Sequence, residues 1–186
     1  MYSDTKISAT MRERKRLGFA LHMKGMDEQG RFAGYASVFN VVDNQRDIIQ
    51  RGAFAHTLPG RVSEIKLLWQ HQQDEPIGVF DRMFEDARGL YVEGRLLLNV
   101  QRAQEAYTLL KAGAISGLSI GYSPLKYKVD EKTGVRRLSE VELWEVSLVT
   151  FPANDAAGVT VVKQSGGGNW KQLAAVLDKA IGVLRV

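Results

Sequence analysis

With 186 residues, 45% of them hydrophobic, the chain fits one core domain with terminal appendages. It has no cysteine, which excludes disulfides, a thiol nucleophile and thiolate metal sites, and it has no apolar run near the ~18 residues that span a membrane. The net charge is +4, but the basic run Arg12-Glu13-Arg14-Lys15-Arg16 lacks interleaved aromatics, so it reads as a solvated arm and nucleic-acid binding is not expected.

Residues 1–16 form that basic arm, with Met11 as an alternative start and no basic-then-apolar signal order. Residues 17–162 read as the core domain. A first strand over 17–25 alternates Leu17, Phe19, Leu21 and Met23 with smaller or polar partners, and a second covers 31–39. After a polar loop, Asp47 is placed to cap a short helix running to about Leu58, where Pro59-Gly60 stops it. A strand over 64–70 carries His71 at its end, and residues 72–75 read as a polar turn closed by Pro76. Segments 77–85 and 90–98 form a hairpin about Asp86-Ala87-Arg88-Gly89.

Asn99 is placed to cap a helix over 101–112, stopped by Gly113. A strand over 115–129 contains Gly117 and Gly121, which mark a bend or a close backbone approach. After a turn at 130–134, a long strand covers 136–150 and a short one 159–162. Residues 163–169 are a Gly-rich linker. Residues 170–186 form an amphipathic helix carrying Trp170, Leu173, Leu177, Ile181 and Leu184, either a docking, packaging or autocleaved tail or a helix packed on the core. Many closely spaced strands with two or three helices predict an α+β, mainly antiparallel fold: a closed or nearly closed β-barrel with peripheral helices. Strict β-α alternation, the mark of a parallel doubly wound sheet, is missing.

Ser119 lies in Gly117-Leu118-Ser119-Ile120-Gly121, which matches the G-x-S-x-G string of α/β-hydrolases. Those enzymes need a helix directly after the serine and a histidine later in the chain. Here His22, His56 and His71 all precede Ser119, and Tyr122-Ser123-Pro124 breaks any helix. Ser119 is therefore either structural or part of a site built in the order His, Ser, acid. His71, ending an apolar strand beside Trp69, is the best-placed base; His56 lies on the predicted short helix and His22 within a strand. Ser116 competes less well as a nucleophile. The acid falls in Glu142-Leu143-Trp144-Glu145-Val146-Ser147. Strict alternation sets Leu143, Glu145 and Ser147 on one face and Glu142, Trp144 and Val146 on the other. A carboxylate among large apolar residues needs a partner, and position alone does not choose between Glu142 and Glu145.

Four blocks together resemble the tailed-phage prohead proteases. They are Gly34-Tyr35-Ala36-Ser37-Val38-Phe39 with Asp43, Asp47 and Gly52-Ala53-Phe54; Leu68-Trp69-Gln70-His71 with Pro76-Ile77-Gly78; Ile115 to Tyr122; and Glu142 to Asn154. The resemblance spans about 17–162. It implies a capsid-maturation serine endopeptidase with an assemblin-like barrel, in which His71 is the base, Ser119 the nucleophile and Glu145 the third member, with Glu142 as the alternative acid. It implies an acyl-enzyme, no cofactor, no metal and no small-molecule ligand. The implied substrates are the major capsid protein's scaffold region, other procapsid components and the protease itself, with self-association as a switch, inside the procapsid in the host cytoplasm. Assemblin-type oxyanion arginines follow the third triad member, whereas Arg136 and Arg137 precede Glu145 and read as exposed charges after a turn. The rival readings are a non-catalytic scaffold protein of the same fold and a nucleic-acid-binding module.

Overall fold

The computed structural model describes residues 27–161. The strand expected at 17–25 and the helix expected at 170–186 lie outside them. Eight strands run in chain order: β1 Arg31–Val38, β2 Asp47–Ile49, β3 Lys66–Trp69, β4 Gln72–Glu85, β5 Gly89–Leu96, β6 Gly117–Val129, β7 Arg136–Val149 and β8 Gly158–Val161. One α-helix, α1 Gln101–Lys111, is present among the described residues.

The strands follow the order β7-β3-β4-β5-β1-β8-β6, and β6 pairs back onto β7, so seven strands close a barrel. Neighbours are antiparallel except β3, which runs parallel to β7; the short β2 also lies parallel to the start of β7, outside the ring. Closure leaves one interior to fill. Phe54, Leu67, Ile77, Leu90, Leu118, Leu138, Leu143 and Leu148 are each under 2% exposed, and each contributes about 2 kcal/mol by leaving water. The closed, mainly antiparallel barrel matches the sequence reading, while the peripheral helices are reduced to α1 within 27–161.

The helix expected from Asp47 to Leu58 is absent. Residues 47–49 are strand β2 and 51–57 are consecutive turns. The Asp47 carboxylate is taken by Arg136 and Tyr122, so it cannot cap a helix. Glu85 of β4 holds the turns instead, accepting the amides of Gly52 at 2.9 Å and Phe54 at 2.8 Å. α1 buries Ala103, Ala106 and Leu110 against the barrel. Val100 rather than Asn99 is its N-cap, with no side-chain cap bond. Gly113 ends the helix at φ 70°, where a side chain would be strained.

The turn after β3 also sits earlier than expected. Trp69 pairs with Gln72, so residues 72–75 belong to β4 and the connection is two residues long. Gln70 and His71 form it, both with positive φ, 51° and 61°. Such a turn matches the twist of the flanking strands but is a strained conformation for non-glycine residues.

Candidate active site

Three adjacent strands bring the sequence-selected residues together. On the β6–β7 ladder, Ser119 lies opposite Ser147 and Gly121 opposite Glu145. On the other side of β7, β3 pairs Lys66 with Glu145 and Leu68 with Ser147, then runs straight into the Gln70–His71 turn. The order β6, β7, β3 therefore sets serine, carboxylate and histidine side by side across the sheet.

A bulge decides which glutamate joins them. Gly121 faces Glu145 but Tyr122 faces Leu143, so Trp144 is an extra residue on β7. The side-chain phase slips there, and Leu143 and Val146 both end in the core. This corrects the expectation that Leu143, Glu145 and Ser147 share a face. Trp144 is 52% exposed, with its indole N–H donated to Ser123 Oγ at 3.0 Å. Glu142 turns away and accepts from Arg61 Nη1 at 3.0 Å.

Glu145 Oε1 lies 2.6 Å from His71 Nδ1. Its other oxygen, Oε2, accepts the Ser147 hydroxyl at 2.7 Å, and Ser147 Oγ accepts the His71 backbone N–H at 3.0 Å. Gln70 fastens the same turn, donating its backbone N–H to Leu148 O at 3.0 Å and its side-chain amide to Thr150 Oγ1 at 2.9 Å. The hydrogen bond to Glu145 raises the His71 pKa above its ordinary 6.5, overcoming the opposing effect of partial burial.

Ser119 is 4% exposed, and its Oγ makes no hydrogen bond to another described residue. Nor does His71 Nε2, so among the described residues the imidazole is held only from behind, at Nδ1. The two glycines flanking Ser119 serve close approach: a Cβ on Gly117 would lie 2.8 Å from Pro152 Cδ, and one on Gly121 would run into the Glu145 carboxylate. The G-x-S-x-G string thus belongs to a strand packed tightly on both sides, not to a strand-to-helix elbow. His56 is exposed on the turns after β2, and Ser116 is exposed just before β6. His22 lies outside the described residues.

Beside Ser119, a small cleft is lined by Ser37, Asp43, Asp47, Tyr122 and Asn154. Asp47 is fully buried and is gripped by Arg136 through Nε at 2.6 Å and Nη2 at 2.5 Å, with the Tyr122 hydroxyl at 2.6 Å. Burial pushes Asp43 and Tyr122 above their ordinary pKa values. Arg136 is therefore an ion-pair partner of a buried carboxylate, not a free charge. Arg136 and Arg137 pair with Val129 and Lys128, at the far end of the ladder from Ser119. Among the described residues no group of three His, Cys, Asp or Glu could hold a metal.

The sequence model of the caudovirus prohead serine proteases matches residues 19–170. The chain belongs to that family. It is 34% identical over 174 residues to the prohead protease of Enterobacteria phage HK97, a match covering 86% of this chain and 76% of that one. It is 33% identical over 174 residues to the capsid polyprotein of Pseudomonas phage PAJU2, covering 89% of this chain and 25% of the polyprotein. Among solved structures, the capsid assembly protease of bacteriophage T4 aligns with a TM-score of 0.49 at 11% identity, over 72% of this chain and 82% of the other.

In this member of the prohead serine protease family, sequence reasoning passed over Ser147 as anything but a face-mate of Glu145. A lone hydroxyl on a strand carries no spacing signal. The bulge at Trp144 was equally silent, although Gly121 on the partner strand, read as a close approach, was the available clue.

Proposed function

We propose that the protein is a capsid-maturation serine endopeptidase with Ser119 as nucleophile, His71 as general base and Glu145 as the group that orients the imidazole. The observation that carries this reading is the 2.6 Å contact between Glu145 Oε1 and His71 Nδ1, with Nε2 unpaired among the described residues and a buried serine on the next strand but one. A serine needs a base to take its proton and a third group to fix that base.

In the acylation step, His71 Nε2 takes the Ser119 proton as Oγ bonds to the scissile carbonyl carbon. The proton then passes to the leaving amine as the C–N bond breaks, which leaves an acyl-enzyme. Water repeats the sequence. It gives a proton to Nε2, its oxygen bonds to the carbonyl carbon, and Ser119 Oγ departs and regains its hydrogen. Glu145 stabilises the imidazolium formed at each stage.

The substrate class follows from the company the family keeps. A relative called a capsid polyprotein contains a segment similar to nearly this whole chain, which supports a capsid protein and its scaffold region as the target. Cleavage of the protease itself, and action inside the procapsid in the host cytoplasm, belong to the same reading. The test is coexpression with the major capsid protein, followed by intact mass. Wild type should shorten the capsid protein, and Ser119→Ala should leave it whole. Well-formed shells of uncut capsid protein with the wild-type enzyme would instead mark a scaffold protein of this fold.

A further inference from the structure

Three hydrogen bonds form a closed ring behind the imidazole. His71 Nδ1 meets Glu145 Oε1 at 2.6 Å, the Ser147 hydroxyl donates to Glu145 Oε2 at 2.7 Å, and the His71 backbone N–H donates to Ser147 Oγ at 3.0 Å. Ser147 is the one member that touches both the carboxylate and the backbone of the histidine. It is fully buried, so its own two bonds are shielded from solvent, while the His71 side chain on the far side of the ring is 45% exposed. It is also the direct cross-strand partner of Ser119, and opposed residues of an antiparallel pair sit only ~5 Å apart at Cα.

We propose that Ser147 is a positioning residue: its hydroxyl fixes the Glu145 carboxylate and the His71 turn in one register and ties both to the strand position opposite Ser119. The inference rests on the reading of Ser119, His71 and Glu145 as the catalytic group.

The need for such a device comes from where His71 stands. It occupies a two-residue turn in which Gln70 and His71 both have positive φ without being glycine, a conformation that persists only when its surroundings hold it. Gln70 is held by Leu148 and Thr150. The amide of His71, which lies in the two-residue turn outside the β3–β4 ladder, is held by the Ser147 hydroxyl. The same hydroxyl uses its only proton on Glu145 Oε2. It thereby leaves Oε1, the other oxygen, aimed at Nδ1. Removing the hydroxyl frees the carboxylate to rotate and the turn to relax, and a displacement near 1 Å costs on the order of 10²-fold in rate.

The test uses the full chain and a fluorophosphonate probe, whose rate of covalent capture reads serine activation without a known substrate. Four variants are compared with wild type: Ser119→Ala, Ser147→Ala, and the isosteric pair Ser147→Thr and Ser147→Val, which differ only in the hydroxyl. Imidazole titration of His71 is followed by NMR in each, with thermal unfolding as a check on folding.

Capture should fall at least about tenfold in Ser147→Ala and Ser147→Val and stay within about threefold of wild type in Ser147→Thr, as expected for a lost positioning bond. In the two variants without the hydroxyl, the His71 midpoint should move down toward 6.5, because the bond that raises it is no longer held. Wild-type capture with an unmoved midpoint in Ser147→Val, while Ser119→Ala is silent, overturns the role of Ser147 and leaves the catalytic reading standing. Equal losses in Thr and Val also overturn it, since packing alone would then be at work. Undiminished capture by Ser119→Ala removes the catalytic reading and this inference with it.

Discussion

Gly121 and Glu145 face each other across the β6–β7 ladder, and the missing side chain of the first makes room for the carboxylate of the second. A Cβ at Gly121 would overlap Oε1 and come within 2.9 Å of Glu145 Cγ. Real Cβ atoms do not tolerate this, and Glu145 cannot move away without leaving His71. Gly121→Ala should therefore retain the barrel but lose activity by about 10²-fold, the usual penalty for a displacement near 1 Å at a catalytic group. Peptidase turnover beside a thermal melt checks this. Full turnover in a well-folded variant would show that the carboxylate has more freedom than its surroundings suggest.

The two glutamates that strict alternation could not separate should respond very differently. Glu145→Gln keeps the shape but removes the charge behind the imidazole, and kcat should drop by about 10²–10⁴-fold. Glu142 is paired with Arg61, both partners being around one-third exposed, and such a pair contributes only ~0.5 kcal/mol. Glu142→Gln should leave kcat unchanged within about twofold, since a loss that small acts on stability rather than chemistry. Parallel assays of the two variants settle the matter, and a loss confined to Glu142→Gln would move the third member of the site.

The pH profile carries the same geometry. A general base works only when neutral, so kcat/KM should rise with pH as His71 loses its proton. The bond to Glu145 raises the His71 pKa, which puts the midpoint of that acidic limb above 6.5 in wild type. In Glu145→Gln the raising bond is weakened, so the limb should shift down toward 6.5 while the plateau falls. A profile whose midpoint stays fixed across the two enzymes would mean that Glu145 does not govern the titrating group.

Much of the barrel was legible in the sequence because alternation on a closed sheet has one buried face, and the glycines and turn residues between strands punctuate it. What escaped depended on residues far away in the chain. Asp47 looked like a helix cap until Arg136, 89 positions later, claimed its carboxylate. The Gln70–His71 turn has neither glycine nor asparagine, so nothing local announced it; bonds from β7 hold it in place. The choice of histidine was narrow because the chain has only three, His22, His56 and His71, all before Ser119. Strand position alone did not choose between Glu142 and Glu145, and only the family resemblance favoured Glu145, because the bulge at Trp144 that turns Glu145 toward His71 is a property of the strand pair rather than of β7 alone.

The ion pair behind the cleft makes the strongest prediction about stability. Asp47 is fully buried, while the Arg136 side chain is 38% exposed. Removing the arginine leaves a buried carboxylate with only Tyr122 and a costly desolvation, whereas removing both charges leaves no orphan. Arg136→Met should cost about 3 kcal/mol, near the lower end for a buried pair because the guanidinium is partly in water. For a chain of this size that corresponds to a Tm lower by roughly 6–12 °C. Adding Asp47→Asn to Arg136→Met should recover part of the loss, so the two changes will not sum. Thermal melts of wild type, the two single variants and the double variant make a complete cycle. Strict additivity would mean that Tyr122 and solvent, rather than Arg136, stabilise the Asp47 carboxylate.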